Sequence, residues 1–313
     1  MIDQRVNKIA SLANKAVYDS QSSQKYIDGA PHIKHSMLRS LYGELVVTIY
    51  DFAATYTNTP TLLDMGAGEG SVTLPFLELG AKVTAIDISE NRLKALQEKC
   101  ANYSGNLEVT CQNVFDAIKS IQLKGRQYDI IVANSFLHHI PDYLELIREA
   151  AVVLSPHGQF FSFQEPVQYD SMGRFTIIFS TLAYFSWRTL KGDLIGGLKR
   201  RIRRSRGVYL NDCHYDYADY HAVRDGLNQN AIFELFKELG FECVIVRYFS
   251  TQSSIWQRIG TVLGIKNTFA VIARRSSYTN QLGGRTSMSS FLNLREFDDT
   301  AIEKTVTIKF TRH

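Results

Sequence analysis

Three glycines at alternate positions carry the first chemical signal in this chain. Gly66, Gly68 and Gly70 follow a short apolar run at residues 62–65, and a helical pattern follows them. Glycine lacks a Cβ, so it permits a tight turn and lets a ligand approach the backbone closely. Taken alone, such a turn fits a phosphate cradle, a dinucleotide site or a simple reversal of the chain.

The spacing of these glycines and one later acid narrow the alternatives. The pattern is Gly-x-Gly-x-Gly, unlike the Gly-x-Gly-x-x-Gly of dinucleotide folds, and no Gly-Lys-Ser/Thr follows, which excludes a P-loop. Asp87 ends the next apolar run, about where a carboxylate accepts hydrogen bonds from ribose hydroxyls. The turn and Asp87 together predict a site for a ribose-containing ligand.

A basic segment lies further along the chain. Eight cations stand against one acid, Asp193, between residues 188 and 206: Arg188, Lys191, Lys199, Arg200, Arg201, Arg203, Arg204 and Arg206. Such a run is usually a solvated face, and the alternatives are an acidic substrate, a membrane surface or RNA. Because no aromatic-basic RNA module precedes it, we predict no nucleic-acid partner. Guanidinium groups pair with carboxylates in a two-pronged fork, which favours an acidic substrate.

Alternating strands and helices must position these residues. Apolar runs predict strands at 62–65, 83–88, 107–111, 128–133, 159–163, 242–249 and 268–273, with helices between most of them. This rhythm is typical of an α/β fold with a parallel sheet, in which ligands bind at the carboxyl ends of the strands. The glycine turn and Asp87 both fall there.

The remaining segments suggest one elaborated domain in a chain of 313 residues. Residues 1–57 read as a helical N-terminal lid, 58–275 as the core, 166–227 as an aromatic and basic cap inserted into it, and 276–313 as a linker with a C-terminal extension.

No apolar stretch is long enough to span a bilayer, which needs about 20 residues, so we predict no membrane partner. The four scattered cysteines predict no disulfide and no metal site, which is typical of a cytoplasmic protein.

Four sequence motifs in order resemble the class I S-adenosylmethionine-dependent methyltransferases. They are Leu-Leu-Asp-Met-Gly-Ala-Gly-Glu-Gly from residue 62, Thr-Ala-Ile-Asp-Ile-Ser from 84, Phe-Asp-Ala from 115 and Tyr-Asp-Ile-Ile-Val-Ala-Asn-Ser-Phe-Leu-His-His from 128. The resemblance covers roughly residues 18–275. It implies a Rossmann-like seven-stranded, mostly parallel sheet with an antiparallel last strand, and S-adenosylmethionine as cofactor. The alternative is a nucleotide-binding fold without methyl transfer.

The resemblance implies roles at matching positions. Gly66 and Gly68, with Met65 and Ala67 in the same turn, would lie against the amino-acid portion of the cofactor, and Asp64 would orient its ammonium. Asp87 would hold the ribose and Ile88 would pack on adenine. Asp116, beside Phe115, would accept from the adenine amine, and Asn113 is a rival for that role. Ala133 and Asn134 would offer backbone carbonyls to the ammonium. Tyr26 belongs to a segment that resembles the lid helices of small-molecule methyltransferases, or simply packs on the sheet.

The acceptor is open at this stage. A base is needed only if the acceptor must lose a proton, and the candidates are His139, which in small-molecule members often faces the acceptor, His35 and His138. Alternatively, one of the paired histidines caps a helix or is buried with a partner.

A carboxylate acceptor, with a free pKa of about 4, is already ionised at neutral pH and needs no base. We therefore expect O-methylation of a carboxylate on a small molecule or short peptide. Hydroxyl or amine methylation with His139 as base is the alternative, and a cofactor-binding scaffold without turnover is another.

The C-terminal extension carries a weaker resemblance. Residues 292–299 and 308–310 resemble an early strand region of the cyanobactin-type peptide prenyltransferases. Some cyanobactin pathways fuse a methyltransferase to such a prenyltransferase, and that methyltransferase half esterifies the carboxyl end of a short peptide. This resemblance implies natural-product biosynthesis and a fused C-terminal prenyltransferase domain. The alternative is an unrelated extension that packs on the sheet edge.

Overall fold

Seven strands form a single sheet in a computed structural model of the chain, which describes residues 4–19, 30–192, 194–209 and 214–275. The order across the sheet is β3-β2-β1-β4-β5-β7-β6. The strands are β1 (Thr61–Met65), β2 (Lys82–Asp87), β3 (Leu107–Cys111), β4 (Tyr128–Val132), β5 (Leu154–Pro166), β6 (Phe241–Tyr248) and β7 (Thr268–Arg275).

The direction of the strands follows the prediction. β1 runs parallel to both neighbours, so that Leu63 lies beside Thr84 on one side and Ile131 on the other. β7 runs antiparallel to β5 and to β6. The seven-stranded, mostly parallel sheet with an antiparallel last strand is confirmed. β5 is longer than the predicted strand at 159–163 and includes Glu165.

Helices cover both faces of the sheet. The described residues form α1 (Gln4–Tyr18), α2 (Pro31–Lys34), α3 (Ser36–Ala54), α4 (Thr73–Glu78), α5 (Glu90–Lys99), α6 (Val114–Leu123), α7 (Tyr143–Val152), α8 (Arg174–Leu190), α9 (Leu194–Ser205), α10 (His214–Ala218), α11 (Gln229–Glu238) and α12 (Ser254–Val262). Among these, no helix is long and apolar enough to cross a membrane.

Alternation along the strands divides the core into two layers. Leu63, Ile131 and Phe160 point to the side that α6, α7 and α11 cover. Their neighbours Leu62, Ile130 and Phe161 point to the opposite side, where α3 and α4 pack. Because successive side chains of a strand face opposite sides, these fully apolar runs require a helical layer on each side.

The segment between β5 and α11 is held at both ends. Val167 and Leu227 form an isolated parallel bridge, and the Leu227 amide donates to the Pro166 carbonyl at 2.9 Å. Gly226 has a φ of +75°, and a Cβ there would meet the Val167 carbonyl. The described parts of this segment form α8, α9 and α10, which place the basic residues of the sequence on helices.

Candidate active site

The glycine turn follows β1 and reaches over the end of β2. The amides of Gly66 and Ala67 both donate to the Ile86 carbonyl, at 2.8 and 3.0 Å. Gly66 has a φ of +75°, and a Cβ on it would clash with the ring of Phe136. Glycine at this position is therefore required by the backbone and by its neighbour, and the turn leaves room for a ligand against the chain.

Asp87 ties this turn to the end of β2. One carboxylate oxygen accepts from the Gly68 amide at 2.9 Å, and the other accepts from the Ser89 amide at 2.8 Å. Burial raises the pKa of Asp87, and these two amide hydrogen bonds oppose the rise. Each oxygen accepts a hydrogen bond from one amide and keeps a further lone pair. The carboxylate can therefore accept two more hydrogen bonds, one at each oxygen, from the hydroxyls of a ligand.

A first cavity opens above these residues. Its lining includes six of the predicted cofactor residues, namely Gly66, Ala67, Gly68, Asp87, Ile88 and Asn134. The glycine cradle, the paired oxygens of Asp87 and the apolar Ile88 fit a cofactor with an amino-acid end, a ribose and an adenine. His32 and Tyr18 close the cavity from the N-terminal segment.

Five predicted cofactor residues lie outside the cavity lining. Asp64 and Met65 still belong to β1, so their side chains are buried beneath the turn, and Ala133 follows β4 with its carbonyl accepting from the Ser162 hydroxyl. Phe115 packs against the core of the sheet, and Asp116 is exposed. Tyr26 lies outside the described residues.

The rival position Asn113 does line the cavity. α6 begins at Val114, and Asn113 caps it by accepting from the Phe115 amide at 2.9 Å. Its amide nitrogen donates to Ser11 on α1 at 2.7 Å. Asp116 lies in the first turn of α6 and faces solvent, so the structure favours Asn113 over Asp116 as the residue near the adenine end.

The loop after β4 is fixed by a residue that the sequence did not single out. The Glu165 carboxylate is fully buried and accepts from three successive amides, those of Phe136, Leu137 and His138, at 2.9, 3.0 and 3.2 Å. It also pairs with His138 Nδ1 at 2.9 Å. Glu165 therefore positions the loop that carries both histidines.

His139 is held as a neutral imidazole. Its Nδ1 contacts the Ala218 carbonyl, which can only accept, so this nitrogen carries the proton. Nε2 then accepts from the Tyr18 hydroxyl at 3.2 Å. Burial, followed by the charge of His138, lowers the pKa of His139 well below its usual value. His139 lines the first cavity and is in its basic form at neutral pH.

His138 has the opposite tendency. Burial disfavours its charged form, but the adjacent Glu165 carboxylate outweighs this and raises the pKa of His138.

His138, His139 and Asp219 each bring one potential metal-ligating atom within 4.8 Å of the others. Both nitrogens of His139 already have hydrogen-bonding partners, so we assign this group to the hydrogen-bond network around the loop.

His35 is displaced from the site. It precedes α3, is buried, and its Nε2 contacts the Thr251 carbonyl at 2.7 Å. It lines neither cavity described here, because α3 begins directly after it and directs it towards the loop that follows β6. The structure therefore does not bring His35 together with the residues that line the two cavities.

A second cavity of about 870 Å³ adjoins the first, which measures about 180 Å³. Both are lined by Ala30, His32, Ser135 and His138, which mark the junction between them. Burial lowers the pKa of His32 to about 4, and its Nδ1 has no hydrogen-bonding partner among the described residues. Sequence reasoning missed His32 as a junction residue, although it lies in the segment that resembles a lid.

The second cavity has an excess of positive charge. Arg201, Arg204 and Arg224 line it, against the single acid Asp225. Arg204 pairs with the buried Asp216 at 2.7 Å. Arg201 instead donates to the Thr181 hydroxyl at 3.0 Å, and Arg224 donates to two backbone carbonyls, so neither has a carboxylate partner in the described part of the chain.

Comparisons with known proteins agree with this site. A family model described as "Methyltransferase domain" matches residues 63–162. A ubiquinone biosynthesis O-methyltransferase of Coxiella burnetii is 29% identical over 100 residues, which cover 32% of this chain and 41% of that protein. Its counterpart in Xanthomonas campestris is 27% identical over 158 residues, covering 50% and 58%. The chain thus spans about two fifths to three fifths of the length of these relatives.

Solved structures support the fold. The plantazolicin methyltransferase BpumL, crystallised with a monoazolic desmethylPZN analog and SAH, has a TM-score of 0.51 at 16% identity, covering 87% of this chain and 97% of that one. The sheet order, the glycine turn with Asp87 and the match over residues 63–162 are those of a class I S-adenosylmethionine-dependent methyltransferase domain. The lining of the first cavity, with the glycine turn and Asp87, fits S-adenosylmethionine as the cofactor.

The adenine contact can be tested with a matched pair of variants. We expect Asn113→Ala to weaken S-adenosylmethionine binding by about 0.5–1.5 kcal/mol, the value of an ordinary hydrogen bond, and Asp116→Ala to leave it unchanged. Isothermal titration calorimetry measures both. The reverse order would return the role to Asp116.

Cofactor binding should depend on pH through Asp64. Burial raises the pKa of Asp64 to about 7, and the Thr73 hydroxyl, which donates to it at 2.6 Å, opposes the rise. A bound ammonium favours the ionised carboxylate, so affinity should increase as the pH rises from about 6 to 8 and Asp64 loses its proton. Asp64→Asn should abolish this slope. An unchanged slope in the variant would remove Asp64 from cofactor binding.

Proposed function

We propose that this chain methylates a carboxylate of a small molecule or short peptide. The observation that carries the proposal is the second cavity, which Arg201 and Arg224 line without pairing with a carboxylate among the described residues. A guanidinium group binds a carboxylate through two parallel hydrogen bonds. An acidic acceptor would supply the missing partner.

The lining of this cavity also indicates the kind of molecule. Tyr169, Tyr184, Trp187 and Tyr209 supply aromatic surface beside the arginines. The guanidinium carbon of Arg224 lies 4.0 Å from the ring centroid of Tyr209 and 3.9 Å from that of Tyr220, so aromatic rings hold this cation in place. A peptide or aromatic acid with a free carboxyl group matches this mixture of rings and cations.

The residues at the junction have separate tasks in this proposal. When bound, S-adenosylmethionine supplies a methyl group on a positively charged sulfur, and a carboxylate oxygen that takes this group becomes a methyl ester while the sulfur becomes a neutral thioether. His138 lies at the junction, where its pair with the Glu165 carboxylate fixes the orientation of its ring. Phe136 and the glycine turn line the first cavity, and Glu165 keeps the loop that carries Phe136 in place.

The proposal needs no general base, which gives a prediction for His139. Asparagine can replace the Nδ1–H donor that faces the Ala218 carbonyl. We expect His139→Asn to lower kcat for a carboxylate acceptor less than tenfold. A general base contributes about 10²–10⁴-fold, so a loss of that size would assign the base role to His139. Because its pKa lies well below 6.5, no titration of His139 is expected near neutral pH.

A labelled-cofactor assay tests the acceptor class. The full chain would be incubated with methyl-labelled S-adenosylmethionine and a panel of aromatic acids and short peptides, and the products treated with mild alkali. A methyl ester releases volatile labelled methanol, whereas methyl ethers and methylated amines keep their label. Alkali-stable product would contradict carboxylate methylation.

Hydroxyl or amine methylation is the second candidate, and His32 favours it. Its low pKa keeps the ring neutral, His32 lines the junction, and its buried Nδ1 has no hydrogen-bonding partner among the described residues. In that case the alkali-stable fraction would dominate, and His32→Asn would lower kcat by about 10²-fold or more. Cofactor binding without any labelled product would favour a non-catalytic scaffold instead.

A further inference from the structure

Exposed apolar side chains concentrate on three helices of this protein. On α8 they are Phe175, Ile178 and Leu182, and on α12 they are Ile255, Ile259 and Val262. On α9 they are Leu194, Ile195, Leu198 and Ile202. On each helix these apolar residues lie mostly three or four positions apart, which places them on one face of the helix. Monomeric proteins rarely expose contiguous apolar surface of this kind without a binding partner.

The three helices lie against one another. Phe179 of α8 packs edge-on against Trp256 of α12, with ring centroids 5.0 Å apart. On its other side, α8 contacts α9, where Arg201 donates to the Thr181 hydroxyl at 3.0 Å and Gly197 lies against Arg188. α8 therefore lies between α12 and α9, and the three exposed apolar faces belong to one contiguous group of helices.

The sequence of this helical group is strongly basic. Asp193 is the single acid between residues 171 and 209, and residues 251–267 contain no aspartate or glutamate. The two segments contain exposed cations on all three helices or at their ends, among them Arg174, Lys191, Lys199, Arg206 and Arg258. Lys199 and Arg206 flank the apolar stripe of α9, which gives this helix an apolar face next to a basic one.

We propose that α8, α9 and α12 form a surface that binds an anionic lipid bilayer. A helix with apolar residues on one face and lysine or arginine beside them lies in the interface of a membrane, with its apolar side chains between the lipids. Each cation near the surface adds attraction to anionic headgroups. This inference revises the sequence prediction of no membrane partner, and it does not depend on the proposed acceptor.

Charge argues against a second copy of this chain as the occupant. Two identical surfaces in a symmetric dimer would bring the cations of α9 and α12 against cations, with Asp193 as the single acid between residues 171 and 209 and none between 251 and 267. An anionic bilayer supplies both the apolar layer and the negative charge. The geometry also links the surface to the second cavity, because α8 and α9 line that cavity with Tyr184 and Arg201 while they expose apolar side chains outward.

Vesicle sedimentation tests the proposal. The full chain would be mixed with vesicles of phosphatidylcholine alone and with vesicles that also contain phosphatidylglycerol. We expect binding to the anionic vesicles, weaker binding to the neutral ones, and release of the protein as the salt concentration rises. Ile195→Glu combined with Val262→Glu should reduce partitioning at least tenfold, and Lys199→Glu should reduce it severalfold on anionic vesicles alone.

Matched controls distinguish binding through this surface from nonspecific adsorption to the vesicles. Leu123→Glu combined with Val152→Glu places the same charges on two exposed apolar positions of α6 and α7, and Lys124→Glu reverses a cation there. These variants should bind vesicles like the wild type, and all variants should keep their affinity for S-adenosylmethionine. Absence of wild-type binding, or equal losses in the controls, would overturn the proposal. A wild-type dimer that Ile195→Glu with Val262→Glu dissociates would assign the surface to a second copy instead.

Discussion

Asp87→Ala is expected to weaken the binding of S-adenosylmethionine by about 1–3 kcal/mol, the loss of hydrogen bonds to a charged group. Both carboxylate oxygens face the end of β2, where the amides of Gly68 and Ser89 orient them. Their remaining lone pairs are the acceptors for the ribose hydroxyls in this account. Calorimetric titration of the folded variant gives the change in affinity.

The control for Asp87 removes an equal charge nearby. Glu90 begins α5 three residues later, is exposed and pairs with Lys94 at 3.0 Å. Glu90→Ala should leave cofactor affinity within about twofold, because an exposed pair of this kind is worth little. If Asp87→Ala bound the cofactor as tightly as Glu90→Ala, the ribose role would be refuted.

Arg201→Gln is expected to have the largest effect on the acceptor side. A hydrogen bond to a charged group contributes about 1.5–3 kcal/mol, so KM for an acidic acceptor should rise by about 10- to 150-fold. Cofactor affinity should not change, since Arg201 lines the second cavity and not the first. Steady-state kinetics with a methylated acceptor would measure this split.

Lys199 provides the comparison on the same helix. It is exposed two residues before Arg201, and it lines neither of the two cavities. Lys199→Gln should leave KM unchanged in an assay without lipid. Equal effects of the two substitutions would indicate a general electrostatic contribution and contradict a specific contact between Arg201 and the acceptor.

Local sequence was sufficient to predict that the glycine turn, Asp87 and Asn134 lie together. The turn at Gly66 depends on residues adjacent in the chain, and a parallel sheet brings the ends of β1, β2 and β4 to one edge. Gly66, Asp87 and Asn134 therefore line one cavity, as expected from their positions after successive strands.

The predicted residues that lie outside the two cavities depended on contacts that sequence spacing does not reveal. Asp116 and Asn113 are three residues apart, and only the start of α6 decides which of them faces the cavity. His35 is held by Thr251, more than two hundred residues away in sequence. Glu165 acts on a loop whose residues lie 27 to 29 positions earlier, and its role appears only once β5 is seen to extend to Pro166.

The acceptor cavity was the least predictable part. The basic run at residues 188–206 suggested an acidic partner, but its arginines divide between different neighbours. Arg203 and Arg204 pair with Asp216, whereas Arg201 turns towards the cavity. Arg224 lies outside that run and joins Arg201 only through the folding of the inserted segment. The prediction for residues 292–310 lies outside the described residues and stays a prediction.

One measurement tests the central claim most directly. The full chain and S-adenosylmethionine would be incubated with a mixture of short linear peptides, half of them amidated at the C-terminus, and the masses of the intact peptides recorded. We predict a gain of one methyl group on free-acid peptides only, and loss of that gain with Arg201→Gln. Methylation of free-acid and amidated peptides alike would contradict carboxylate methylation, and no methylation of either would remove the peptide carboxylate as acceptor while leaving the cofactor site in place.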